Sequence, residues 1–122
     1  KRKGLIDMLN KLVKYANENG GMTYNNKTGQ MMTKGYVCAK KGNEYVVNGQ
    51  LTVEDLEHYM TKYYNDLQLE ETCVGVWYNT ENNKTYLDTS LVYENRQECE
   101  EIGRRNGEIA IFCLDTFEEI RL

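Results

Sequence analysis

The stretch CVGVWYNTENNKTYLDTSLVY, residues 73–93, carries the clearest strand pattern in the chain and decides the fold. Two runs rich in β-branched and aromatic residues, 73–78 and 85–93, flank the polar loop 79–84. Runs of this composition favour strands, and a short polar loop between them is typical of a hairpin. The sequence therefore predicts an antiparallel β-hairpin here.

Two helices are predicted before this hairpin. Apolar residues recur at helical spacing over residues 5–16, and a glycine pair beginning at Gly20 is a stop signal. Further along, Thr52 is placed as an N-cap with Asp55 in the capping-box position, followed by a second apolar stripe. The second helix is predicted over about residues 53–66.

A third, shorter helix is predicted after the hairpin. Asn95 with Glu98 is a capping signal, and the helix ends at an Asn-Gly pair at residues 106–107. The apolar candidates to face inward are Cys99 and Ile102. With so small an apolar face, we expect this helix to lie across the edge of the sheet.

The remaining strands are short. Residues 22–47 alternate β-like pieces with polar turns, and the runs 36–39 and 44–47 are predicted to pair as a hairpin. Residues 108–114 are apolar on both faces, which is typical of a central strand. Residues 117–122 form a weak terminal strand.

These elements define an α+β fold in the order α-βββ-α-ββ-α-β, with three helices and a mainly antiparallel sheet of short strands. A chain of 122 residues is the usual size of one domain. We therefore expect a single domain over residues 1–122, in which a basic helix, residues 1–20, precedes a sheet with two further helices, residues 21–122. Packing all helices on one face of the sheet is the simplest arrangement.

Location and thiol chemistry follow from composition. No apolar run approaches the roughly 20 residues that a membrane span needs, and no signal-peptide pattern opens the chain. We therefore expect a cytoplasmic protein that does not associate with membranes. The four cysteines are widely scattered, which predicts free thiols rather than disulfides or a zinc site.

Charge is unevenly distributed along the chain. Residues 1–41 contain nine Lys or Arg against two acids, a balance of +7, whereas residues 42–122 contain six against seventeen, a balance of −11. Such asymmetry indicates a charged partner, or two regions that neutralise each other within the fold or in a head-to-tail dimer.

Patterns for catalysis are weak. His58 is the only histidine, and Ser90, the only serine, lies in a strand run without a glycine-flanked elbow. No phosphate loop is present in the sequence, and we expect neither a cofactor nor a bound metal. An open alternative is a small metal-dependent hydrolase built on the carboxylates of Asp88, Glu94 and Asp115.

An acidic and aromatic surface is the leading candidate for a functional site. The chain has ten tyrosines, a residue type enriched at protein interfaces. Carboxylates on the second and third helices would suit a basic groove that normally holds nucleic acid. The residues predicted to bind such a partner are Glu54, Asp55, Glu57, Tyr59, Tyr63, Glu94, Glu98 and Glu101.

The basic first third of the chain supports a different hypothesis. Lysine and arginine side chains here could contact phosphates, which would make the protein a nucleic-acid-binding accessory factor. The candidate residues are Lys1, Arg2, Lys3, Lys11 and Lys14.

Three segments carry a resemblance to a known group of proteins: residues 35–37 (GYV), residues 76–79 with 85–90 (VWYN and TYLDTS), and residues 104–112 (RRNGEIAIF). Over roughly residues 21–122 the pattern resembles a family of small uncharacterised proteins encoded by phages and mobile elements of bacteria. The resemblance transfers no catalytic residue. It implies a non-enzymatic inhibitor of a host defence complex, of the anti-CRISPR type, whose partner would be a CRISPR effector nuclease.

Overall fold

A computed structural model describes residues 2–122 and contains three α-helices and eight strands. In chain order they are α1 (Arg2–Asn19), β1 (Gly21–Asn25), β2 (Gln30–Met31), β3 (Tyr36–Ala39), β4 (Tyr45–Asn48), α2 (Val53–Lys62), β5 (Thr72–Asn79), β6 (Lys84–Tyr93), α3 (Arg96–Arg105), β7 (Ala110–Cys113) and β8 (Glu118–Arg121). The α+β class and the places of the three helices are as predicted. Four strands rather than three separate α1 from α2, and the terminal strand is present as β8.

The predicted hairpin forms the centre of the sheet. β5 and β6 pair over their length, from Thr72 opposite Leu91 to Asn79 opposite Lys84. The strand order across the sheet is β2-β1-β5-β6-β3-β7-β8, and all pairs are antiparallel. The hairpin is therefore the element on which both halves of the sheet assemble.

The predicted hairpin between β3 and β4 is wrong. Both strands pair with β6 instead, β3 with its second half and β4 with its first. Between them the chain stays close to β6, because the backbone N–H of Lys40 donates to the Thr89 carbonyl at 2.8 Å and the Asn43 amide donates to the Thr89 hydroxyl at 3.1 Å. The polar residues between β3 and β4 therefore form a bulge, and the two strands lie one after the other along β6.

The helices pack on one face of the sheet. Since side chains alternate between the faces of a strand, every second residue of β1, β5 and β6 points toward α1 and α2. The main core contains Leu9, Leu12, Ala16, Met22, Tyr24, Leu51, Leu56, Tyr59, Leu67, Val74, Val76 and Leu87. This arrangement is the one predicted from the sequence.

α3 covers interior strands and does not lie across the sheet edge, which corrects the sequence prediction. It packs on β3, β6 and β7, and its Cys99 joins Cys38, Leu91 and Ile111 in a second buried cluster. Close approach is possible because Gly103 has no side chain: a Cβ there would lie 3.0 Å from the Ile111 side chain. Because Cys99 and Gly103 are small, α3 can pack closely on the sheet without a wide apolar face.

Both predicted capping signals are confirmed. The Thr52 hydroxyl accepts from the Asp55 backbone N–H, and the Asp55 carboxylate accepts from the Thr52 N–H, each at 3.2 Å. The Asn95 side chain accepts from the Glu98 N–H at 2.9 Å and begins α3. α2 ends at Lys62, four residues before the predicted end, and a 3-10 turn at Asp66–Gln68 follows it.

β7 was predicted to be a central strand, but it lies next to the edge, between β3 and β8. Its Ile111 faces α3, whereas the Phe112 side chain points to the opposite face, where no helix packs. One face of β7 is therefore apolar because it packs against α3, whereas the apolar residue on its other face lies on the side of the sheet away from the helices.

Candidate functional site

The face of the sheet opposite the helices carries an open cavity of about 730 Å³. Its wall includes Met31 of β2 and Glu119 of β8, from the two ends of the strand order. In a flat sheet these strands would lie roughly 29 Å apart, since neighbouring strands are separated by about 4.8 Å. The sheet must therefore curve around this face.

Residues 32–35 form a strap that carries the chain from β2, at one edge, to β3 beyond the central hairpin. The Met32 N–H donates to the Thr23 carbonyl at 2.7 Å, and at the other end the Gly35 carbonyl accepts from the Leu114 N–H at 2.8 Å. The Gly35 N–H donates to the Asp115 carboxylate at 2.8 Å. Met32 and Thr33 line the cavity, so the strap is part of its wall.

Aromatic rings form much of the exposed rim. Trp77, Phe112 and Phe117 all line the cavity and are 57%, 36% and 78% exposed. Trp77 packs beside Tyr86 across the hairpin, with ring centroids 5.5 Å apart, and the two phenylalanine centroids are 6.4 Å apart. Several large apolar side chains left open on one concave surface are typical of a binding site.

Phe117 is held in a strained backbone conformation. Its φ is +60°, in the left-handed region that a bulky side chain rarely adopts and that glycine adopts without strain. Strain of this kind concentrates at functional sites. The turn between β7 and β8 thus presents an aromatic ring to the cavity where glycine would fit the backbone better.

The polar part of the cavity is built on the central hairpin. The Ser90 hydroxyl donates to the Asp88 carboxylate at 2.6 Å, and both side chains lie over Gly75 on the neighbouring strand. A Cβ at Gly75 would collide with both of them. The Asp88 carboxylate can therefore occupy this part of the cavity because residue 75 has no side chain.

Asp88 lies in surroundings that disfavour its charge. Burial is the main cause that raises the pKa of this carboxyl group, and the charges of Glu108 and Glu44 raise it further, while the hydrogen bond from Ser90 acts in the opposite direction. Glu108 also lines the cavity, and its carboxylate accepts from the Ala39 N–H at 3.2 Å.

The ionisable side chains that line the cavity are mainly carboxylic acids, and one of them, Glu119, lies 3.9 Å from the Arg121 guanidinium. Asp88, Glu108 and Glu119 contribute three carboxylates, and no lysine or arginine occurs among the described residues that line the cavity. The arrangement can hold an apolar ligand between aromatic rings and offer it hydrogen-bond acceptors at the floor.

The predicted hydrolase site does not assemble. Asp115 is engaged by the strap backbone, and within residues 2–122 no group of three or more His, Cys, Asp or Glu side chains is arranged to hold a metal ion. Asp88, Glu94 and Asp115 therefore do not form the metal site considered from the sequence. His58 packs on the Tyr45 ring of β4, with ring centroids 5.3 Å apart.

Tyr59, predicted to bind a partner, is instead a core residue. Its side chain is 0% exposed, and its hydroxyl donates to the Asn43 carbonyl at 2.7 Å and lies 3.0 Å from the Thr89 hydroxyl. Tyr63, also predicted to bind a partner, is half-buried and packs on Tyr59, with ring centroids 4.7 Å apart. The aromatic part of the predicted surface therefore serves mainly to seal the core.

The predicted carboxylates have differing surroundings. Asp55 is occupied by its capping bonds, and Glu57 pairs with Arg2 of α1 at 2.9 Å. The exposed ones are Glu54 on α2, Glu94 just before α3, and Glu98 and Glu101 on α3. The contact between Glu57 and Arg2 also shows that the two oppositely charged regions of the chain meet within the fold.

The basic candidates lie along α1. Arg2, Lys3, Lys11 and Lys14 are exposed, whereas Lys1 lies outside the described residues. The structure thus leaves a basic helix available to solvent beside the acidic α2.

The cavity was not predicted from the sequence. The sequence pattern indicates strands for most of its residues and explains the apolar residues on both faces of 108–114 by a central place in the sheet. The available signal was the placement of Trp77, Asp88 and Phe112, which share the face that the helices do not cover.

Comparison of the chain with known protein families, with curated proteins and with solved structures found no match. Among the described residues, no helix is both long enough and apolar enough to span a membrane.

Proposed function

We propose that this protein is a binding protein that holds a small organic ligand with an apolar body in the cavity on the uncovered face of its sheet. The observation that carries the proposal is the set of exposed rings, Trp77, Phe112 and Phe117, around a cavity of about 730 Å³. Cavities that bind ligands of drug size commonly measure about 300–1,000 Å³, with mostly apolar walls and a few polar groups.

Trp77 provides a direct readout, because it is the only tryptophan in the chain and lines the cavity. The probe is N-phenyl-1-naphthylamine, an uncharged aromatic dye, titrated while tryptophan fluorescence and dye emission are recorded. We expect saturable binding of one dye per chain, accompanied by quenching of Trp77.

The variant Phe112→Ala tests the location of the site. Removing the ring should weaken dye binding about tenfold, since full burial of a phenylalanine side chain contributes about 1.5–3 kcal/mol. The matched control is Leu69→Ala, which removes an exposed apolar side chain outside the cavity. Dye binding that does not saturate, or that is equal in both variants, would contradict the proposal.

A second candidate function comes from the exposed carboxylates. Among residues 2–122, Glu54, Glu94, Glu98 and Glu101 belong to no ion pair, and residues 42–122 have a net charge of −11. These observations support an inhibitor of the anti-CRISPR type that occupies the basic groove of a host defence complex, as the family resemblance implies. Its partner would be a CRISPR effector nuclease.

Charge reversal tests this second function. The variant with lysine at positions 54, 94, 98 and 101 should lose inhibition of target cleavage by such a nuclease, whereas Glu118→Lys, on β8, should retain it. Undiminished inhibition by the fourfold variant would exclude this surface. If the protein instead retains nucleic acid, and neutralising Lys3, Lys11 and Lys14 abolishes that retention, the basic α1 is the active surface.

A further inference from the structure

We propose that the cavity selects ligands that carry a cationic nitrogen on an aromatic or aliphatic body, with the nitrogen placed at the carboxylates of Asp88 and Glu108. This inference rests on the proposed function and specifies the chemical class of the ligand. It excludes anionic ligands, which the wall would repel.

Charge complementarity is the first argument. The cavity wall presents the carboxylates of Asp88, Glu108 and Glu119 and, among the described lining residues, no basic side chain. Opposite charges are usually paired when they are partly buried, because an isolated charge in a poorly hydrated site is unfavourable. Arg121 lies 3.9 Å from the Glu119 carboxylate, whereas no ion pair within residues 2–122 involves Asp88 or Glu108, so for these two the cation would come from the ligand.

The position of Asp88 is the second argument. It lies at the middle of β6, paired with Gly75 of β5 on one side and next to the gap between β3 and β4 on the other, and Gly75 leaves the space that its carboxylate occupies. Ser90 holds one carboxylate oxygen through its hydroxyl group. The carboxylate is therefore oriented before any ligand arrives, which lowers the entropy lost on binding.

The aromatic rim is the third argument. A cation over the face of a tryptophan or phenylalanine ring is attracted by the negative charge of the ring face. Trp77, Phe112 and Phe117 are placed around the acidic floor, so a ligand can bury its apolar body against them and extend its cationic end to Asp88.

The unfavourable burial of Asp88 agrees with this assignment. Burial raises the pKa of Asp88, and the like charges of Glu108 and Glu44 raise it further, so its ionised form is disfavoured until a positive charge lies beside it. Asparagine would keep an acceptor for Ser90 without that penalty. A ligand with a positive charge would explain why this position has a carboxylate rather than an amide.

The test uses three ligands with the same ring and different charge: 1-naphthylmethylamine, 1-naphthylmethanol and 1-naphthoic acid. Isothermal titration calorimetry at pH 7 measures each affinity in the wild-type protein. We expect the amine to bind about tenfold more tightly than the alcohol, as a hydrogen bond to a charged group would provide, and the acid to bind more weakly than the alcohol.

Two variants locate the cation. Asp88→Asn and Glu108→Gln should each reduce the ratio of amine to alcohol affinity, whereas Glu70→Gln, an exposed carboxylate outside the cavity, should leave that ratio unchanged. Thermal unfolding of each variant establishes that it is folded.

The outcomes separate the two proposals. If the amine and the alcohol bind equally and Phe112→Ala weakens both, the cavity is a ligand site but the cation inference is wrong. A preference for the amine that persists in both carboxylate variants also overturns the inference. If neither ligand binds and N-phenyl-1-naphthylamine does not bind either, the proposed function itself fails.

Discussion

Replacing Tyr59 by phenylalanine removes one hydroxyl group from the interior without changing the ring. That hydroxyl donates to the Asn43 carbonyl at 2.7 Å and is 3.0 Å from the Thr89 hydroxyl. Leaving buried polar groups without a partner costs about 1–3 kcal/mol. For a domain of this length we expect the melting temperature to fall by roughly 4–12 °C.

The assay is urea and thermal unfolding followed by circular dichroism. The matched control is Tyr64→Phe, since Tyr64 is 60% exposed on the same segment and its hydroxyl should contribute close to nothing. Combining Tyr59→Phe with Thr89→Val gives a double-mutant cycle, and the coupling energy should be about 0.5–1.5 kcal/mol if the two hydroxyl groups share a hydrogen bond.

The reasoning is refuted if Tyr59→Phe is as stable as the wild type. It is also refuted if the variant keeps its stability while losing binding to a partner, because that result would mean that Tyr59 belongs to an interface, as the sequence suggested.

Three further changes test the surroundings of the cavity and the bulge. Gly75→Ala should destabilise the fold by about 1–3 kcal/mol in urea unfolding, because its methyl group displaces Ser90 and Asp88; unchanged stability would show that both side chains turn away freely. Asp88→Asn should raise the melting temperature at pH 7. Burial raises the pKa of the wild-type carboxyl group, so ionisation of Asp88 destabilises the folded protein increasingly as pH rises from about 3.8 through that pKa. The higher melting temperature of Asp88→Asn should therefore disappear in acid. Asp66→Asn should do the reverse: hydrogen bonds from Asn43 and Lys40 lower the pKa of Asp66, so the variant should be less stable at pH 7, with the deficit disappearing as pH falls below about 3.8. A deficit that does not depend on pH would exclude this role of the Asp66 charge.

Local signals predicted local structure well. The capping residues Thr52 and Asn95 mark the true beginnings of α2 and α3, because their side chains contact backbone groups only three residues away. The central hairpin was predictable for the same reason, since its strands are joined by a short loop.

Pairing at long range was not predictable from such signals. Residues 36–48 contain two strand runs and a polar segment, which matches a hairpin, and the alternative depends on β6 being long enough to pair with both runs. Similarly, the pattern of residues 108–114 cannot distinguish an apolar face buried by a strand's neighbours from one that lines an open cavity. The candidate site therefore emerged only from the assembled sheet.

The strand order has a consequence for synthesis on the ribosome. β1 pairs with β5, and both β3 and β4 pair with β6, so the sheet contacts of the first half of the chain depend on residues 72–93, apart from the β1–β2 and β3–β7 pairs. Until Tyr93 emerges from the exit tunnel, the nascent chain holds three strands without these partners, and unpaired strand edges favour aggregation. We therefore expect the sheet to assemble only once residues 72–93 are available, with the local hairpin of β5 and β6 pairing before the strands of the first half join it.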